Sequence, residues 1–245
     1  KKKNRPKEQT IIFTATRHHV QFLLLLIREM GEKVEGVFGN MDMTARKRAV
    51  GMFRKRKIRF LVVTDVAARG LDIPLLKNVI NYDFPAKCKL FVHRAGRAGR
   101  QGRVGTVFSF VDPTEMPYMI DLFLFLGRPL RGLKNEDDEE TEPPKVKTRV
   151  YTLKTMTTED VDYGIIPRDY IDSANESFLS MKSSHHDLSE QYRVSNNAYV
   201  SIVPSTTHFQ TPHIHFNITN NNTDTKHTLN QDLRRPEYRF FVQKI

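Results

Sequence analysis

Cysteine occurs once in the 245 residues, at Cys88. One thiol excludes an internal disulfide framework and a zinc site built from cysteines, and it fits a reducing compartment, nuclear or cytosolic. Long apolar runs are missing too. The longest, FLLLLI at 22–27, is far short of the roughly 20 residues that cross a bilayer, and nothing resembles a secretory signal. A soluble intracellular protein is expected. Acidic residues are scarce in the first half: residues 1–130 hold 25 Lys and Arg against 11 Asp and Glu, a balance of +14, whereas 131–245 contribute −3 to the net +11. A basic half-chain has two readings, a polyanionic partner or a well-solvated surface. Nucleic acid comes before membrane because no amphipathic basic helix stands out.

After a charged lead-in at 1–9, either a nuclear-import patch or a point of truncation, a rhythm begins. Apolar strand candidates at 10–15, 34–39, 59–64, 78–83 and 105–111 alternate with amphipathic helix candidates at 17–30, 43–54, 87–97 and 114–126. Strand and helix in alternation with short links predict an α/β fold, a parallel sheet covered by helices on both faces, with ligands at the carboxyl ends of the strands. The loops after Phe13, Thr64 and Tyr82 are where chemistry is expected. Beyond Leu130 the pattern stops. NEDDEETEPP at 135–144 marks an acidic, proline-ended linker over 131–150, and 151–245 is expected to be a largely irregular, partly disordered extension. Its histidines, including His208, His213, His215 and His227, have no metal-ligand spacing.

Two stretches fall at predicted strand ends. TDVAARGLDIP (64–74) offers a hydroxyl, two carboxylates and an Arg-Gly turn, or simply a short helix capped by Thr64 or Asp65. HRAGRAGRQGR (93–103) repeats arginine at 94, 97, 100 and 103. On a helix that spacing gathers like charge on roughly one face, which an anion such as phosphate would neutralise. A third stretch, RKRAVGMFRKRKIR (46–59), rings a helix with cations, either a basic surface for a polyanion or a solvated face. Arginine 46 and arginine 100, taken as exposed cations, are expected to add little to the fold.

The first two motifs together, in this order, resemble the C-terminal RecA-like domain of DEAD-box RNA helicases over about 10–130. The wording around them is similar to a nucleolar subgroup of that family, and YGIIPRD (163–169) and NNAYVSIVPS (196–205) are similar to its extension. The resemblance implies a RecA-like sheet and roles residue by residue. Asp72 would accept from the ribose of ATP; Arg97 and Arg100 would reach its terminal phosphates, one as an arginine finger. Arg69 and His93 would couple the two helicase domains. Gly39, Arg46 and Thr64 would hold RNA, although Met43 stands where the family usually has glutamine. The phosphate loop and the acidic Mg2+ site are expected on an N-terminal RecA-like domain acting in cis, because no Gly-Lys dipeptide and no Asp-Glu-Ala-Asp occur here. The chain is thus expected to be half of an ATP-dependent RNA helicase, inactive alone, working on pre-ribosomal RNA in large-subunit assembly in the nucleolus, with pre-ribosome proteins as possible partners. A non-catalytic RNA-binding module and a DNA-directed superfamily-two helicase are the alternatives.

Overall fold

The computed structural model describes residues 8–71, 73, 76–99, 105–127, 161–166, 168–202 and 239–244. The first strand, β1 (Thr10–Thr14), is buried along its whole length, as its branched and aromatic residues suit a strand covered on both faces. Helix α1 (Arg17–Glu29) follows, opened by Thr16, whose side chain accepts the His19 N–H at 3.0 Å. The alternation continues through β2 (Val34–Val37), α2 (Met43–Arg54), β3 (Phe60–Thr64), α3 (Asp65–Ala68), β4 (Asn78–Asn81), α4 (Cys88–Ala95), β5 (Thr106–Val111) and α5 (Met116–Leu126).

These five strands run parallel in the order β2-β3-β1-β4-β5. Thr14 lies opposite Thr64, and Phe13 opposite Asn81, so the carboxyl ends of the three central strands line up. The chain leaves β1 toward β2 and β3, then crosses to β4 on the other side. That reversal opens the sheet's crevice above β1, β3 and β4. The larger core lies on one face, where Phe53 of α2, Phe91 of α4 and Met119 of α5 close over Phe13. On the other face Val20, Phe22 and Leu23 of α1 meet Ile12 and Val62. A Cβ on Gly36 would stand 2.7 Å from Val20 Cγ1 and 2.8 Å from Leu24 Cδ1, so glycine sets how closely β2 approaches α1.

Among the described residues past 150, regular elements stand within the extension expected to be largely irregular. Strand β6 (Val161–Ile165), helices α6 (Arg168–Ser184) and α7 (His186–Ile202), and strand β7 (Arg239–Lys244) are regular. Strand β7 pairs antiparallel with β5, and β6 pairs antiparallel with β7, extending the sheet to seven strands. Helix α7 lies on α1: Leu188 is buried in the second core, and the rings of Phe22, Phe178 and Tyr192 stand 5.1–6.1 Å apart. A few aromatic and aliphatic positions suffice here because α1 already supplies an apolar face to cover. The linker 131–150 and the four histidines from 208 to 227 lie outside the described residues, as does all of the lead-in except Glu8 and Gln9.

Candidate functional site

The carboxyl edge of the sheet is organised by one buried arginine. Arg94 on α4 is 3% exposed. Its Nε and Nη2 donate to the two carboxylate oxygens of Asp65 at 2.7 Å each, and its Nη1 donates to Asn81 Oδ1 (3.1 Å) and to the Asp83 carbonyl (2.8 Å). The guanidinium carbon stands 5.2 Å from the centre of the Phe13 ring. A planar fork meeting a carboxylate in this way is among the stronger polar contacts a protein makes. It joins the first residue after β3 to the end of β4 and to α4. Beside it, Asp83 Oδ2 accepts the Ala15 N–H at 2.5 Å and lies 3.0 Å from His19 Nδ1, which fixes the loop after β1.

Next to this clamp opens a cleft of about 350 Å³ lined by Phe13, Asp65, Ala68, Arg69, Lys87, Lys89, Leu90, His93, Arg94 and Arg97. Of the residues singled out from sequence, the structure brings Arg69, His93 and Arg97 together here. Asp65, the one carboxylate in the lining, is already engaged by Arg94. Lys87, Lys89, Arg69 and Arg97 are left to face an anion, a donor set that fits a polyphosphate. Lys87 and Lys89 were not foreseen; two lysines around a lone cysteine gave no motif to find them by.

The arginine repeat is not the charged helical face its spacing suggested. Helix α4 ends at Ala95, Gly96 caps it, and Arg97 lies in the turn that follows. Arg94 takes its anion from within the fold. Arg97, three residues on, is half-buried at the cleft. Asp72, Arg100 and Arg103 lie outside the described residues.

The remaining candidates stand along the same edge. Thr64 ends β3 and precedes α3, but its hydroxyl makes no cap hydrogen bond. Gly39 is exposed in the turn after β2, and a Cβ there would meet nothing within 4 Å. Met43 opens α2 with its side chain exposed, directly after Asp42, which caps the Thr44 and Ala45 N–H groups at 2.9 and 3.0 Å. Arg46 corrects an expectation. It is half-buried, and its Nη2 donates to the Ala67 carbonyl at 2.6 Å and reaches the Arg69 carbonyl at 3.4 Å. It staples α2 to α3 and so contributes to the fold.

The extension touches this edge through a buried carboxylate. Glu115 Oε1 accepts the Phe84 N–H (2.9 Å) and the Tyr199 hydroxyl of α7 (2.7 Å), and its Oε2 accepts the Asp112 N–H (2.9 Å). Burial outweighs these donors and pushes the Glu115 carboxyl up to about 7. The Tyr199 hydroxyl is pushed up as well, by burial and then by the Glu115 charge.

Residues 3–102 match a family described as the helicase conserved C-terminal domain. DEAD-box ATP-dependent RNA helicase 29 of Oryza sativa is 44% identical over 193 residues, 79% of this chain and 22% of that protein. ATP-dependent RNA helicase DDX54 of Mus musculus is 42% identical over 201 residues, 82% of this chain and 22% of that protein. ATP-dependent RNA helicase dbp10 of Neosartorya fischeri is 42% identical over 188 residues, 77% and 18%. The chain belongs to the DEAD-box RNA helicases. It spans about a fifth of the length of the curated relatives it matches. The alignments reach past the helicase domain, since 201 aligned residues exceed the core that ends with α5. The aligned stretch therefore includes the sequence of α6 and α7.

Proposed function

We propose that this chain forms the C-terminal half of the catalytic centre of an ATP-dependent RNA helicase. The observation that carries this is the cationic cleft at the carboxyl edge, where Arg69, His93 and Arg97 converge beside a carboxylate already neutralised by Arg94. ATP bound across that edge supplies the phosphoanhydride whose hydrolysis drives remodelling. Arg97 neutralises charge that builds on the terminal phosphates, with Arg100 as its partner. Asp72 accepts from the ribose. Arg69 and His93 sit where an opposing domain would sense the nucleotide. That domain, N-terminal and RecA-like, supplies the phosphate loop and the carboxylate for Mg2+.

RNA is held through its backbone. The open turn at Gly39 admits a sugar–phosphate closely, the Thr64 hydroxyl is unused by the helix it precedes, and Arg46 keeps N–H groups beyond those donated to Ala67 and Arg69. Contacts of this kind position a strand without reading its sequence. The similarity to dbp10 and DDX54 supports a nucleolar role in large ribosomal subunit assembly and rRNA processing, with pre-ribosomal RNA and pre-ribosome proteins as partners.

The test is to assay ATP hydrolysis by the 245-residue chain alone and after joining it to an upstream RecA-like domain. RNA-stimulated turnover only in the joined protein is expected. Turnover by the chain alone would overturn the half-site reading. A joined protein that binds RNA but never hydrolyses ATP would favour a non-catalytic RNA-binding module.

A further inference from the structure

Helix α2 carries Arg46 near its amino end and runs at its other end into Arg54, Lys55, Arg56 and Lys57, all exposed. Among the described residues, Lys47, Arg48, Lys55, Arg56 and Lys57 enter no ion pair. Two backbone choices on this surface run against what the fold prefers. Arg56 stands at φ 55°, alone among the described non-glycine residues in having a positive φ. It directly follows the cap residue Lys55, a position where glycine is usual, and its N–H bonds Phe53 O while the Lys57 N–H bonds Met52 O, both at 2.9 Å. An L side chain there crowds its own backbone.

Gly51 is the second. It weakens the middle of the helix, yet a Cβ on it would meet nothing within 4 Å, so packing does not require it. Lys47, Gly51 and Lys55 recur every four residues and therefore form one stripe. From Lys47 to the cap residue Lys55 the stripe runs about 12 Å along α2.

We propose that this stripe, from Lys47 past Gly51 to Lys55, Arg56 and Lys57, is a second phosphate track that takes RNA flanking the segment held at Gly39, Thr64 and Arg46. The inference rests on the RNA-binding reading above. Clustered exposed cations without internal partners form a patch of positive potential that attracts an anion. A glycine among them lets a sugar–phosphate approach the helix closely, and Arg56 keeps a long guanidinium where the backbone favours no side chain. Continuity with Arg46 on the same helix selects RNA as the occupant. A competing anion is the chain's own acidic run from Glu136 to Glu140.

The experiment measures binding of single-stranded RNA of about 5 and about 16 nucleotides to the 245-residue chain across a salt series. Two variants accompany the wild type: Arg56→Gly, and Arg56→Gly with Lys55→Gln and Lys57→Gln. Arg56→Gly should raise Tm by about 2–4 °C while weakening the long strand and leaving the short one unchanged. The triple variant should lose roughly tenfold on the long strand, with a log–log salt slope shallower by about 2. Unchanged long-strand affinity and slope would overturn the proposal. So would tighter RNA binding once the acidic run is neutralised, because the patch would then belong to that segment. Loss of binding to both strands on Arg46→Ala, with no change in the patch variants, would support the primary site and reject the track; failure of the wild type to bind the short strand would reject both.

Discussion

Replacing Arg94 with alanine should unfold this protein far more readily than replacing Arg97, although the two stand three residues apart in one repeat. Arg94→Ala removes four hydrogen bonds and strands the Asp65 carboxylate, Asn81 Oδ1 and the Asp83 carbonyl. Removing one partner of a buried ion pair costs about 3–5 kcal/mol. The Asp65 side chain is 19% exposed, so water recovers part of that loss and the lower end, about 3 kcal/mol, applies. For a domain of this size each kcal/mol moves Tm by about 2–4 °C, which gives a fall of about 6–12 °C. Arg94→Lys keeps the charge but not the fork and should recover less than half of it. Arg97→Ala should melt with the wild type. The assay is thermal unfolding followed by circular dichroism, repeated in urea. An Arg94→Ala protein melting within about 2 °C of wild type would refute the clamp, and so would an Arg97→Ala protein that melts as early.

Glu115 makes stability depend on pH. Its folded pKa of about 7 lies above the ordinary 4.5, so the native state holds the proton more tightly than the unfolded one. The stabilisation this gives is fully present below about pH 4.5 and is lost as pH rises through about 7, on the order of 3 kcal/mol in all. Urea midpoints should fall between pH 5 and pH 8, and Glu115→Gln should flatten that fall. An equal slope in the variant would place the titration elsewhere. Arg46→Ala should lower Tm by about 2–4 °C, through loss of its bond to Ala67 O, and weaken RNA binding by about 1–3 kcal/mol. Gly39→Ala should weaken RNA binding without moving Tm, because its Cβ meets no protein atom; a Tm loss there would make the glycine a folding requirement.

The sheet was legible because the strands from β1 to β5 are short, mostly apolar runs bounded by turn residues, and amphipathic stretches such as α2 and α4 alternate with them. The site was legible in part. Arg69, His93 and Arg97, singled out from the motifs, line one cleft, but Arg94 looked like its neighbours in sequence, and only the position of Asp65 after β3 reveals that it is bound internally. Periodicity also carried the arginine helix too far, since spacing does not show that Gly96 ends it. The extension was expected, but its helices were not read, because Phe178, Met181, Leu188 and Tyr192 are thinly spread among Ser, Asn and charged residues. A signal existed in α1. FLLLLI is apolar around most of the helix, which suits a helix covered on two sides, and α7 is the second cover.

The most direct test of the central claim is RNA-stimulated ATP turnover by Arg97→Ala, measured in this chain joined to an upstream domain that carries the phosphate loop and the Mg2+ carboxylate. A fall of roughly 10³-fold, with RNA affinity and Tm unchanged, is the predicted result. Turnover within a few-fold of wild type, or RNA affinity lost in the same proportion, would contradict the assignment of Arg97 to the phosphates of ATP.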